Sequence, residues 1–262
     1  MLIICNGAPK GGSTWVYHLV PLILDVERVP KEYQDPLFKN SSIALDRLDA
    51  FLDGTDWRAK KYFSKQHWKS ESFDRELAAN PDVRMINIIR DIRDVLVSRY
   101  HHDIRQKKVP ADTSFASYYE SRGRAMMGHY CSYQFYWHRD LRPGDREPLL
   151  LSYEALKFAF NTELARFAAF LGVPEGELDV EKARAGTDIE SLKGNSFFRK
   201  GETGDWLNHF DAATAAAFEE RLKTNGYLDF LRVLSGRGIH VAESQMEGDW
   251  AGQLSAHVSA TA

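Results

Sequence analysis

The segment LIICNGAPKGGSTW, Leu2–Trp15, constrains the fold more than any other part of the chain. Its four apolar residues read as a short buried strand, and Trp15, Leu19 and Leu22 recur at helical spacing from Ser13 to Leu24. Between the two lies a glycine-rich turn. Such a strand-to-helix turn aims unpaired backbone N–H groups and the positive end of the helix dipole at an anion. Gly7 and Gly12 have the spacing of the phosphate loop G-x-x-x-x-G-K-[ST], but Ser13 and Thr14 stand where that loop continues with lysine. The lysine sits inside the turn, at Lys10. Gly11 and Gly12 permit close backbone approach, Ser13 and Thr14 add hydroxyl donors, and Lys10 adds a charge, so a phosphate-binding site is expected here.

Further along, SSIALDRLDAFLDG reads as a helix with serine caps and Gly54 as its stop. Lys60 to Lys65 reads as a strand, and Val83 to Ile89 as a buried strand that ends at Arg90, with a helix following to Gln106. Ser114 to Arg139 predicts a long aromatic-rich helix, which either forms core or lines an apolar pocket. PLLLSY predicts another buried strand, and helices are expected over Asn161–Leu171 and Asp211–Lys223. Strands alternating with helices imply a single α/β domain, with a mostly parallel central sheet flanked by helices and a nucleotide-binding, P-loop-like architecture. The domain is expected over residues 1–235. The tail, 236–262, shows no period and is expected to be weakly ordered or extended.

Bulk properties narrow the function classes. With 34 Lys and Arg against 37 Asp and Glu, no global field recruits nucleic acid or an anionic membrane, so any anion is held by local clusters. Two cysteines are too few for a disulfide framework, and no apolar run is long enough for a membrane span, which together imply a cytoplasmic protein. Among nine histidines, the run His101–His102–Asp103 suggests a metal cluster, yet adjacent helical residues point apart and no metal site is expected.

Four stretches together carry a family resemblance. PKGGSTW resembles the P-K-S-G-T-T-W loop of cytosolic-type sulfotransferases, which use 3'-phosphoadenosine 5'-phosphosulfate (PAPS) and release adenosine 3',5'-bisphosphate (PAP). RDIRDVLVSRYH is similar to that family's 3'-phosphate motif, FRKGETGDWLNHF to its R-K-G-x-x-G-D-W-K-N segment, and SYEAL to its Y-E-D-L stretch. The likeness runs from about Leu2 to Tyr227. It implies cofactor-binding roles for Lys10, Gly11, Gly12, Ser13, Thr14, Trp15, Arg90, Ser98, Tyr153, Arg199, Lys200 and Gly201. A looser match of TDIESLKGN adds Thr187 and Ile189. Trp15 and Tyr153 would contact the adenine, and Arg90, Ser98, Arg199 and Lys200 would hold the 3'-phosphate.

The resemblance also implies the chemistry. SKQHWKS is similar to the family's K-T-H stretch, which points to His67 as general base with Lys65 as helper at the sulfuryl oxygens. Histidine's ordinary pKa of ~6.5 suits that task. Lys10 would stabilise charge on the bridging oxygen, and Ser98 would restrain Lys10 until the acceptor arrives. The implied function is sulfuryl transfer from PAPS to a hydroxyl or amine of a small-molecule acceptor, without a metal. Two other readings stand beside it: a P-loop kinase, disfavoured by the missing Walker lysine and by Arg90 at the strand end, and a non-catalytic nucleotide sensor, which has no use for a base. NHFDAATAAAF lacks the family's dimer motif, so the chain is expected to be a monomer or a homodimer formed otherwise. Arg93, Arg99 and Arg105 are equally readable as a solvated helix face.

Overall fold

A computed structural model describes residues 1–37, 42–54, 56–69, 79–140, 146–188 and 201–261 of the 262. Among these, five strands form one sheet: β1 (Leu2–Cys5), β2 (Glu27–Arg28), β3 (Tyr62–Lys65), β4 (Val83–Ile89) and β5 (Leu149–Ser152). The order is β2-β3-β1-β4-β5, and every neighbouring pair is parallel. The first helices are α1 (Ser13–Ile23), α2 (Leu48–Gly54), α3 (Ile92–Arg105), α4 (Phe115–Tyr118), α5 (Arg124–His138) and α6 (Tyr153–Phe158). They are followed by α7 (Phe160–Leu171), α8 (Val180–Thr187), α9 (Ala212–Thr224), α10 (Tyr227–Gly236), α11 (Glu243–Glu247) and α12 (Trp250–Thr261). The α/β class and the parallel sheet agree with the alternation read from the sequence. Of the described strands only β2 went unforeseen, because two exposed residues are too short to show a period.

The chain falls into two compact units, Met1–Ile89 with Tyr136–Lys200, and Arg90–Phe135 with Gly201–Ala262. In the first, all four residues of β1 are without exposed surface, as a central strand covered on both faces must be. Ile3 and Cys5 pack with Val16, Leu19 and Val20 of α1, Ile86 and Ile88 of β4, and Phe167 and Leu171 of α7. Burying each large side chain in this layer contributes roughly 1.5–3 kcal/mol. The helix expected at SSIALDRLDAFLDG starts only at Leu48, because Ser42 donates its hydroxyl to the Lys65 carbonyl (2.6 Å) instead of capping.

In the second unit the stretch expected as one long helix is α4, a π-helical turn over Tyr119–Gly123, and α5. At Gly123 a Cβ would stand 2.8 Å from Leu96 Cδ1, so glycine lets the turn press onto α3. The aromatic residues are chiefly core: Tyr119 packs on Phe218, Tyr130 on Tyr227, and Phe135 on Phe230. The expectation of a weakly ordered tail is corrected here. Residues after Ser235 form α11 and α12, and Glu219 of α9 accepts from the backbone N–H groups of Asp249 (3.0 Å) and Trp250 (2.8 Å). Trp250 is wholly buried against Phe218. Its helix lacks a strong apolar stripe because one large residue does most of the anchoring, and period-based reading misses such a helix.

Gly12 links the fold to the turn. Its φ is +112°, and a Cβ there would lie 2.9 Å from both Ile88 Cδ1 and Tyr153 Cδ2. Gly204 has a φ of +80° with open space around it. In urea unfolding, Gly12→Ala is expected to cost about 3 kcal/mol, backbone strain plus overpacking, while Gly204→Ala costs about 1 kcal/mol from strain alone. Equal losses at the two positions would show that the crowding at Gly12 has no energetic weight.

Candidate active site

In the first unit, the turn after β1 and the segment after β3 run side by side. Asn6 is buried and its amide bridges them: Oδ1 accepts from the Trp68 N–H (2.8 Å), and Nδ2 donates to the Trp68 carbonyl (3.1 Å). One residue further, His67 Nδ1 lies 2.5 Å from the Gly7 carbonyl oxygen. A carbonyl can only accept, so Nδ1 carries the proton and the neutral ring keeps its lone pair on Nε2. Lys65 Nζ is 3.2 Å from Nε2. Burial pushes the Lys65 ammonium down to about 8, opposed only in part by Cys5, whose own thiol burial pushes up. His67 is exposed. An exposed imidazole with a fixed tautomer has the form of a proton acceptor, and the Lys65 ammonium that donates to Nε2 has to turn away before that lone pair can take a proton.

The turn itself has the form of an anion cradle. Lys10 (φ 73°) and Gly12 both adopt left-handed backbone conformations, and the Gly11 N–H closes the turn on the Ala8 carbonyl (3.0 Å). Gly12 caps α1 without a side chain, so the first-turn N–H groups of Ser13 and Thr14 have no capping acceptor of their own. Trp15 meets Tyr153 edge-on, ring centroids 5.1 Å apart, and its indole N–H is buried without a partner. An orphaned donor beside two aromatic faces and an anion cradle fits a purine nucleotide. Thr187, expected at the same pocket, is buried at the end of α8 and spends its hydroxyl proton on the Ala183 carbonyl (2.8 Å). Ile189, Arg199 and Lys200 lie outside the described residues.

The second unit holds the other expected group. Arg90 is the residue that follows β4, and Tyr130 Oη accepts from its N–H and donates to its carbonyl, each at 3.2 Å. Its guanidinium donates to the Glu202 carbonyl (2.9 Å), which joins it to the segment that starts at Gly201. Two motifs more than a hundred residues apart therefore meet. Ser98 is half-buried on α3.

Asp91, Arg93 and Asp94 were missed as a group. Arg93, readable as a solvated face, is fully buried and pairs with Asp91 at 2.7 Å. Asp94 accepts from the N–H groups of Gly204 (2.7 Å) and Trp206 (3.0 Å). Burial pushes its carboxyl up to about 6, Asp91 adds to this, and Arg90 and the two N–H groups oppose it. The available signal was three charged residues in four positions at the start of a helix whose next three residues are apolar. Arg99 pairs with Asp103 (3.1 Å), and Arg105 is exposed.

The run His101–Asp103 does not act as one cluster, and His101 groups instead with Asp205 and His209, whose ligand atoms all lie within 4.8 Å of one another. Asp103 turns to Arg99 and Tyr118, while His101 Nε2 faces His209 Nε2 at 3.4 Å, and that atom lies 3.5 Å from Asp205 Oδ2.

Comparison with known proteins agrees with this architecture. A family model described as a sulfotransferase domain matches residues 2–228, running through both units. Sulfotransferase 1E1 of Cavia porcellus is 27% identical over 242 residues, covering 83% of this chain and 80% of the relative. Cytosolic sulfotransferase 1 of Danio rerio is 25% identical over 240 residues, covering 82% and 79%. Among solved structures, mouse sulfotransferase SULT7A1 complexed with PAP superposes with a TM-score of 0.66 at 19% identity, covering 90% of this chain and 88% of that one. Retinol dehydratase in complex with androsterone and PAP gives 0.64 at 21% identity, covering 86% and 80%. No described helix is long and apolar enough to cross a membrane. The match over most of the chain, on a parallel sheet whose first loop is an anion cradle, places this chain in the sulfotransferase family.

Proposed function

We propose that this chain transfers the sulfuryl group of PAPS to a hydroxyl or amine of a small-molecule acceptor, with His67 as general base. The observation that carries the reading is the Lys65–His67–Gly7 arrangement, in which a backbone carbonyl holds the imidazole with its lone pair on Nε2, beside a cation. PAPS supplies an activated sulfur joined to phosphate through a bridging oxygen. The acceptor proton passes to His67 Nε2 as the acceptor oxygen or nitrogen bonds to sulfur. The bridging S–O bond breaks, and its electron pair stays on the 5'-phosphate of PAP. Lys10 and the first-turn N–H groups of α1 stabilise that oxygen, and the Lys65 ammonium stabilises the sulfuryl oxygens. Trp15 and Tyr153 hold the adenine, and Arg90 and Ser98 take the 3'-phosphate. Thr187 keeps only a packing role at the adenine.

This assignment separates base from binder. His67→Ala is expected to lower kcat about 1,000-fold while the PAP dissociation constant stays within about threefold, by single-turnover assay with labelled PAPS and by titration calorimetry. Transfer that persists in the variant would remove His67 from the reaction. The same labelled donor, offered to phenols, alcohols, sugars and amines, identifies the acceptor.

The pH profile tests Lys65 separately. A lysine held near 8 by burial is charged below that pH and neutral above it, so kcat is expected to fall as pH rises through about 8. In Lys65→Met the alkaline limb should disappear and the plateau should drop. An unchanged limb would assign it to another group.

Recognition of the second phosphate rests on Arg90. Without Mg²⁺ the chain is expected to bind PAP in preference to ADP, and Arg90→Ala should reduce that preference about 30-fold, the worth of a charge-assisted hydrogen-bond pair. A preference that survives the substitution places the 3'-phosphate elsewhere.

A further inference from the structure

Arg93 is a fully buried guanidinium whose surroundings come from three separate stretches of the second unit. Asp91 accepts from Nε and from one terminal nitrogen (3.0 and 2.7 Å). The remaining donors go to residues past position 240: the Ser244 carbonyl (3.3 Å), Ser244 Oγ (2.9 Å) and Gln253 Oε1 (3.2 Å). Two indoles pack against it, Trp206 at 4.1 Å and Trp250 at 4.8 Å from the guanidinium carbon to each ring centre, and their own ring centres are 6.4 Å apart, so they meet around the cation as a corner. Gln253 also donates to the carbonyls of Ser244 (2.7 Å) and Gly248 (2.9 Å), which ties α11 and α12 into one piece.

Trp206 belongs to the segment that begins at Gly201. Asp94 grips its N–H and that of Gly204, and Arg90 donates to the Glu202 carbonyl. The cation in the corner of two indoles is therefore the point where residues 244–253 meet the segment that Arg90 engages. Those residues lie beyond the 2–228 matched by the family model, so the family pattern does not account for them.

We infer that Ser244, Trp250 and Gln253 form a C-terminal latch that positions the Gly201–Trp206 segment and Arg90 for the 3'-phosphate, and so sets selectivity for a doubly phosphorylated adenosine. This rests on the reading of Arg90 as the 3'-phosphate anchor. A guanidinium packed against two rings with every nitrogen engaged has one arrangement, and ordering it before the ligand arrives removes an entropic cost from binding. With one indole or the Gln253 carbonyl gone, Arg93 has donors to satisfy elsewhere, and Trp206 loses the surface it rests on. These are positioning residues. They touch the ligand only through Arg93, Trp206 and Arg90.

The test is the ratio of affinities for PAP and adenosine 5'-monophosphate, measured by titration calorimetry on the full chain without Mg²⁺. Trp250→Ala is expected to lower the ratio about tenfold and Gln253→Ala about threefold, with the monophosphate affinity unchanged within about twofold; Trp250→Phe keeps most of the ratio because a ring still covers the cation. A merely loosened protein would lose both affinities together. Should Trp250→Ala not fold, Gln253→Ala decides, since its side chain is half-exposed and leaves no core cavity. Variants that keep the wild-type ratio overturn the latch while leaving Arg90 as anchor. A wild type that does not distinguish the two nucleotides overturns the anchor and the latch with it.

Discussion

Parallel register between β1 and β3 is the constraint on which the site depends. Cys5 pairs with Lys65, and the ladder continues one step as the Gln66 N–H donates to the Cys5 carbonyl (3.0 Å). Two residues beyond the pair, Gly7 and His67 therefore come level, and the imidazole finds the carbonyl that sets its tautomer. A slip of one residue would turn every side chain of β3 to the opposite face and carry His67 away from the turn. That slip is prevented by burial, since both strands have no exposed side and any change of face would strand apolar surface in the wrong layer. The geometry of the turn and of His67 is thus held by the core beneath it as well as by contacts within the site. Asn6 adds a direct tie, because its amide satisfies both backbone groups of Trp68.

The second unit adds buried charge to its aromatic core. Asp91, Arg93 and Asp94 are all buried at the start of α3, where desolvation of each ion costs several kcal/mol. The cost is offset by saturation of their hydrogen bonds. Asp91 caps α3 through the Arg93 N–H (2.9 Å) and grips the guanidinium of the same residue, while Asp94 accepts two loop N–H groups. Such a network tolerates little displacement. Removing one partner leaves a buried charge uncompensated, at a cost of about 3–5 kcal/mol, which makes this cluster a precise support for the segment after Gly201.

Much of this was legible in the amino-acid order. Four of the five described strands, the first helix and the anion turn follow from apolar runs bounded by glycine and proline, and these are local patterns that local physics enforces. The long aromatic stretch was ambiguous, because pocket and core demand the same residues, and packing against Phe218, Tyr227 and Phe230 made it core. Arg93 was ambiguous in the opposite sense. A charged residue on a helix reads as solvated unless its counter-ion and its covering rings are known, and Trp206 and Trp250 lie more than a hundred residues away. The C-terminal helix was lost for a related reason, since a single buried tryptophan leaves no period to detect.

Residue types and their short-range spacing pointed to a parallel α/β sheet with a glycine-rich turn of anion-cradle form after its first strand, and the family resemblance carried in the same sequence implied His67, Lys65 and Arg90 as site residues. Tertiary structure alone decided which nitrogen of His67 is left to accept a proton, that Lys65 is buried enough to titrate near 8, and that Arg93 is a buried keystone rather than a surface charge. The division has a physical cause. Strand and turn formation depend on a residue and its near neighbours, whereas protonation and solvation depend on whatever the fold brings within a few ångströms, from any distance along the chain.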